Sequence, residues 1–395
     1  MGCGGSTAAS VEQNNKPESK PPASGKKEAK SDECALDLAE QGPSVGAAIA
    51  ESKQLDKITK LNISKCEVEQ VPNEVWSLSK LVHLDVGENQ LTGIDDIAEK
   101  QPGLQYLDVR DNPLGTFSPA IGKLTQLETL YAYKCQLTAV PPELFKLTNL
   151  TDLNLFNNAI VKVPAELNQL TALKELNLAS NKLMQLPAGS LDGLKSLRRL
   201  ALFWNRVLRL PSFTDLVALE ELQLNSNQLQ ELPAFGAHPV CADINLQKNQ
   251  IASVPEGVFT AANFPALTAL ELSSNKLTSI PVDLCQLPKL QKLSLGANEL
   301  TELPDALWEI KTLTFLNIAT NHFETLSDSV SNLKENLVTL FLAENKMTTL
   351  PATIVELTNL TRFSCKGNPL NLKDPDTNDR YNALKTIVGS KFVGV

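Results

Sequence analysis

The sequence is poor in the residues that carry chemistry. Its three histidines, His83, His238 and His322, are spread over 395 residues, too far apart to build a zinc cluster. His83 and Asp85 sit two apart like half of a catalytic dyad, but no serine or cysteine stands beside them as nucleophile, so they read as a surface pair. Gly115…Gly122-Lys123 lacks the spacing of a phosphate loop. No apolar run is long enough for a signal peptide or a membrane span. The seven cysteines are scattered and odd in number, which excludes a disulfide framework and points to reduced thiols in an intracellular compartment. Positive charge is also in deficit: the net charge of −9 argues against nucleic acid as the main partner. The expectation is a protein with no enzymatic activity, no cofactor and no metal.

What the chain has instead is leucine in strict order. Leu173, Leu176, Leu178, Asn181, Leu183, Leu186 and Pro187 are followed by Leu191, Leu194 and Leu197 of the next copy. The pattern recurs from Ile58 to Leu370, and its Asn position falls at 66, 89, 112, 135, 158, 181, 205, 227, 249, 275, 298, 321, 345 and 368. Steps are of 22 to 24 residues except for one of 26, a period typical of stacked repeats. Length alone would allow two or three domains; the unbroken array predicts one elongated α/β solenoid of about fourteen copies.

Each copy reads simply. LxLxx alternates apolar and polar residues and predicts a short strand with one buried face. The Asn ends the strand with buried hydrogen-bonding capacity for neighbouring loops; Cys66 and Cys135 replace it twice. Leu-Pro then starts the return, where proline's fixed φ suits the first turn of a short helix or 3₁₀ segment. Leucine fills so narrow a core that aromatics make up only 5% of the chain.

The ends differ. Residues 1–33 have no apolar periodicity, are rich in Gly, Ser, Pro, Lys and Glu, and read as disordered. Met1-Gly2-Cys3-Gly4-Gly5-Ser6 fits the M-G-x-x-x-[ST] acylation pattern. Gly2 is the expected myristate acceptor and Cys3 a palmitate acceptor, since one acyl chain alone holds a membrane weakly. This places the protein on the cytoplasmic face of a membrane, the plasma membrane first, with a cytosolic pool. Residues 34–57 predict a helical cap broken at Gly42-Pro43, residues 58–372 the solenoid, and residues 373–395 a capping helix from Asp376 or Thr377 to Val388 with a tail. The 26-residue step carries extra residues, Val258 to Pro265, on the return side.

The candidate partner site is the set of strand residues pointing away from the core. Tyr106, Tyr131, Tyr133, Phe156, Phe203 and Trp204 fall there, three of the protein's four tyrosines among them. Solvated strand positions have no packing reason to be aromatic, and Tyr and Trp dominate binding hot spots. Ala179 and Ala201 between Phe156 and Phe203 predict a shallow hollow. Asp85, Glu88, Asp108, Asp111, Asp152, Glu175 and Glu221 face Arg110, Lys134 and Arg199, a net −4 that favours a partner with a basic surface. Of these, Asp108, Arg110, Asp152 and Arg199 are the charged contacts expected beside the aromatics.

The LPxxLxxLxxLxxLxLxxNxL form resembles the cytosolic Ras-group leucine-rich-repeat proteins over residues 58–370. That resemblance implies a leucine-rich-repeat solenoid with a concave parallel sheet, binding small GTPases or a protein phosphatase on its concave face. The basic-V-x-F docking pattern for the phosphatase is missing from residues 1–33. Extracellular members of the repeat class carry Cys-rich flanking caps, and none is found here. The reading is a monomeric, membrane-tethered scaffold for protein partners in intracellular signalling. The alternative is a regulatory subunit that directly controls one bound enzyme: a kinase of a small-GTPase pathway or a protein phosphatase.

Overall fold

The computed structural model describes residues 34–52 and 54–394; Gly2 and Cys3, and with them the acylation pattern, lie outside the described residues. Sixteen parallel strands pair strictly in chain order to form one open sheet. The first eight are β1 (Cys34–Asp37), β2 (Ile58–Asn62), β3 (His83–Asp85), β4 (Tyr106–Asp108), β5 (Thr129–Tyr131), β6 (Asp152–Asn154), β7 (Glu175–Asn177) and β8 (Arg199–Ala201). The rest are β9 (Glu221–Gln223), β10 (Asp243–Asn245), β11 (Ala269–Glu271), β12 (Lys292–Ser294), β13 (Phe315–Asn317), β14 (Thr339–Phe341), β15 (Arg362–Ser364) and β16 (Phe392–Val393). Strands β2 to β15 are the fourteen copies of the sequence repeat.

Each of the three-residue strands β3 to β15 places one central apolar residue in the core and its two flanking residues on the concave face. The register is kept throughout: Leu130 pairs with Leu153, Leu153 with Leu176, and Leu176 with Leu200. Returns on the convex side are mostly five-residue 3₁₀ turns, such as Pro142–Lys146 and Ala165–Gln169. Proline stands one residue earlier than the sequence reading put it. Pro164 and Pro351 adopt extended ψ of 156° and 149° and act as N-caps before the turn.

The Asn position holds the copies together. The Asn181 side-chain amide donates to the Leu155, Leu178 and Ala179 carbonyls at 2.9, 3.0 and 3.2 Å, while its oxygen accepts from the Ile160 N–H at 3.0 Å. Cys135 cannot reproduce this. Its thiol donates to the Val109 carbonyl at 3.1 Å, and it offers no acceptor to the preceding copy. That copy compensates locally, through Pro113 and a Leu114 N–H that turns to the Asn112 carbonyl at 2.9 Å.

Both ends depart from expectation in the same way. The N-terminal cap is a strand followed by a helix: β1 pairs with β2 before α1 (Val45–Ala50) covers the core with Val45 and Ile49. Leu36 and Leu38 therefore pack from an edge strand and its exit, not from a helix. At the other end α2 (Pro375–Val388) starts one residue before Asp376, the earlier of the two starts expected, because the Asp374 carboxylate accepts from the Thr377 N–H at 2.9 Å. Beyond α2, β16 adds a last strand to the sheet.

The 26-residue step turns its aromatic side chains inward. Phe259, Phe264 and His238 are fully buried, and the rings of His238 and Phe264 stack at 5.1 Å. The extra residues, expected on the return side, make room for an aromatic core under the return.

Among the described residues, no helix is long and apolar enough to cross a membrane. Cys34, Cys66, Cys135, Cys241, Cys285 and Cys365 are free thiols.

Candidate functional site

The concave face of β3 to β8 collects the predicted site residues, and it sorts them into two parts. The first is polar. His83 stacks flat on Tyr106 with ring centroids 3.8 Å apart, and Tyr131 meets Tyr106 edge-on at 5.7 Å. Beneath these rings Arg110 binds Asp108 directly, with Asp85 at 3.5 Å and Glu88 at 3.6 Å.

Asp108 is fully buried. It therefore cannot be a contact residue as the sequence reading had it; its role is to hold Arg110 from below. Burial, and then the neighbouring Asp85 charge, push its carboxyl up to about 7. Burial works against the Arg110 charge, but Asp108 and Asp85 outweigh it and hold the guanidinium more firmly protonated. Burial also keeps Tyr131 and Tyr133 neutral, with phenol pKa values pushed up to about 12. They are hydrogen-bond donors over the whole physiological range.

The second part is apolar. Phe156, Ala179 and Phe203 occupy the same register position in three successive copies, and the two phenylalanine rings approach to 6.2 Å. Ala179 is completely covered. The expected hollow between the rings is thus absent; the phenylalanines close over the alanine and leave a ridge. Phe203 meets Trp204 edge-on at 5.3 Å, and Trp204 is 46% exposed. Below the ridge Arg199 bridges Glu175 at 2.5 Å and Glu221 at 3.7 Å, while Asp152 takes the Thr151 hydroxyl at 2.5 Å.

The backbone at Trp204 is the least expected feature. The residue just before the Asn position has positive φ in every copy, the two Cys-containing copies included: Lys65, Glu88, Asp111, Lys134, Asn157, Ser180, Ser226, Lys248, Ser274, Ala297, Thr320 and Glu344 all lie between 50° and 57°. Those are polar or small residues, and the last copy uses Gly367. Trp204, at φ 53°, is the one aromatic residue in this row. A bulky side chain in the left-handed region is a costly choice, and strain of this kind collects at functional positions. The repeat alignment alone places Trp204 in that row; the φ that the row requires becomes visible only once the loops are folded.

Among the described residues no group of three or more His, Cys, Asp or Glu could hold a metal ion. What the face can do is bind: it offers neutral phenol donors, an apolar ridge and a surplus of carboxylates.

A family model described as a leucine-rich repeat region matches residues 98–239, and one described as a leucine rich repeat matches residues 242–300 and 265–323. A solved leucine-rich-repeat protein of Leptospira interrogans is 29% identical, at a TM-score of 0.70 over 91% of this chain and 95% of that one. The ectodomain of the plant membrane receptor kinase GASSHO1/SCHENGEN3 from Arabidopsis thaliana, in complex with Casparian Strip Integrity Factor 2, is 27% identical, at 0.63 over 80% of this chain and 42% of that one. YopM from Yersinia enterocolitica is 26% identical, at 0.58 over 81% and 66%. No curated protein matches the chain.

Proposed function

From the premise that the chain is a leucine-rich-repeat protein, we propose that it is a non-enzymatic scaffold whose concave face on β3 to β8 holds a protein partner with a basic surface. The observation that carries the proposal is Trp204. An exposed tryptophan, kept at a backbone angle that suits glycine or asparagine and braced against Phe203, is not called for by the repeat, whose other copies place polar or small residues there. The phenylalanine ridge beside it and the tyrosines above Arg110 extend the same surface to about six strands, roughly 25 Å at ~4.8 Å per strand. The complex of the Arabidopsis ectodomain with Casparian Strip Integrity Factor 2 supports partner binding by this architecture.

The tether belongs to the same proposal and rests on the sequence pattern. Gly2 takes myristate and Cys3 palmitate, which tethers the solenoid to the cytoplasmic face of a membrane and makes the protein an adaptor in signalling at that surface. A photo-crosslinking residue at Phe156 or Tyr133, against one at the convex Glu166, tests where the partner sits. The concave positions should yield a defined crosslinked protein and Glu166 none. Equal labelling from both sides would defeat the proposal.

A further inference from the structure

The cations of the site just described are neutralised within it. Arg110 meets three carboxylates, Lys134 reaches Asp111 at 3.4 Å, and Arg199 meets Glu175 and Glu221. Further along the same face the arrangement reverses. Arg362 and Lys366 on and after β15 are exposed, and among the described residues neither has a carboxylate within ion-pairing distance. Lys292 on β12 is exposed as well and feels Asp243 from two strands away.

Between these cations lie two more concave aromatics. Phe315 on β13 and Phe341 on β14 meet edge-on at 5.8 Å and are both partly exposed. In the row beside them the residues are small in three successive copies: Gly296, Ala319 and Ala343. In the earlier copies that row holds Tyr133, Phe156 and Phe203. A raised surface there becomes a low floor here, walled by two rings and flanked by basic groups.

We infer that β12 to β15 form a second docking surface, for an extended acidic peptide segment. The register sets the spacing. Lys292, Phe315, Thr339 and Arg362 are successive partners across the strands, so Lys292 and Arg362 stand three strand steps apart, about 14 Å at ~4.8 Å per step. An extended peptide advances ~3.3 Å per residue, so carboxylates at positions i and i+4 meet both cations. The apolar side chain between them lies against Phe315 and Phe341. A polyphosphate chain fits less well, because Asp243, Glu271 and Glu344 border the patch and a continuous anion would run into them. On β12 to β15 and their exits Lys292, Arg362 and Lys366 outnumber Glu344, while Asp243 and Glu271 lie on β10 and β11, so this surface is opposite in sign to the proposed partner site and the two are separable by charge.

The test uses the full chain and a fluorescein-labelled nine-residue peptide with glutamates at its third and seventh positions and a phenylalanine at its fifth. Fluorescence anisotropy should show saturable binding, weakened at least tenfold by Phe341→Ala and by Arg362→Glu, with melting temperatures unchanged. Tyr133→Ala should leave it within twofold. A peptide with lysines in place of the glutamates should bind only after Lys292→Glu and Arg362→Glu are combined. Absence of saturable binding up to millimolar peptide, equal binding of both peptides to the unaltered protein, or displacement by a twelve-nucleotide single-stranded oligomer at lower concentration than the unlabelled peptide would each overturn the inference. Loss with Tyr133→Ala in place of Phe341→Ala would assign the peptide to the first site and overturn it too, leaving the scaffold proposal standing.

Discussion

Replacing Trp204 by glycine separates the cost of its backbone from the use of its side chain. The left-handed conformation costs an L-residue ~1–2 kcal/mol, which glycine removes at φ 53°. Against this, glycine gives the unfolded chain about 0.4–1 kcal/mol of extra freedom, and the edge contact with Phe203 contributes roughly 0.5–1.5 kcal/mol. The opposing contributions nearly cancel, so Trp204→Gly should stay within about 1.5 kcal/mol of the unaltered protein in either direction. Trp204→Ala keeps the strain and loses the contact, and should be the less stable of the two by up to about 1.5 kcal/mol. Leu176→Ala is the yardstick: 1% exposed in the core, it should lose ~2–5 kcal/mol to the cavity. Thermal melts followed by circular dichroism rank the three. If Trp204→Gly melts as early as Leu176→Ala, the tryptophan is a packing residue. If alanine is tolerated better than glycine, the position is not strained.

Four carboxylates of the concave face, Asp85, Glu175, Asp243 and Glu271, titrate higher than usual because of burial, as does Asp108 at about 7. A raised carboxyl pKa means the folded state binds protons more tightly, so its contribution to stability is complete below the ordinary range near 4 and is lost as pH rises towards 7. Buried His238, whose pKa burial lowers, opposes them below its ordinary 6.5; Asp108→Asn should therefore reduce whatever gain in melting temperature the unaltered protein shows from pH 7 to about pH 5, and an unchanged pH profile in that variant would contradict the burial argument. Removing residues 376–395 uncovers the core beneath Leu384 and Val388 and should destabilise the array strongly, whereas removing 1–33 should leave the melt unchanged; equal losses would show that the tail is part of the fold. Gly2→Ala should move the protein to the soluble fraction, and Cys3→Ser should leave weak binding, since one acyl chain gives only ~10⁴ M⁻¹. Persistence of Gly2→Ala on membranes would point to a protein anchor.

The array was legible because its determinants are local and repeated. One Leu in three strand residues and one Asn four residues later specify strand and ladder, and all fourteen copies stand where their Asn position put them. The caps were harder for the opposite reason. Cys34–Asp37 and Phe392–Val393 are single short segments, strands only because a sheet edge is there to receive them. The aromatic site was legible as a set of positions but not as a surface. Whether Phe156 and Phe203 flank a hollow or close it depends on ring orientation, and whether Asp108 faces solvent depends on Arg110 lying over it. Phe259 and Phe264 carried no sign of their direction, since a longer return can bulge outwards or be filled from within. Phe315 and Phe341 obey the same strand rule as Tyr106 and Tyr131, and the rule applied to all copies would have found them.

The central claim is that the aromatic ridge and tyrosines on β3 to β8 are the partner surface. It is tested most directly by measuring the affinity of the protein crosslinked from Phe156 for the unaltered chain and for Tyr133→Ala, Trp204→Gly and Phe341→Ala. The account predicts losses of about 2 kcal/mol or more, roughly thirtyfold, for the first two variants, and less than threefold for Phe341→Ala, with Trp204→Gly still folded. Unchanged affinity in Tyr133→Ala and Trp204→Gly would contradict it.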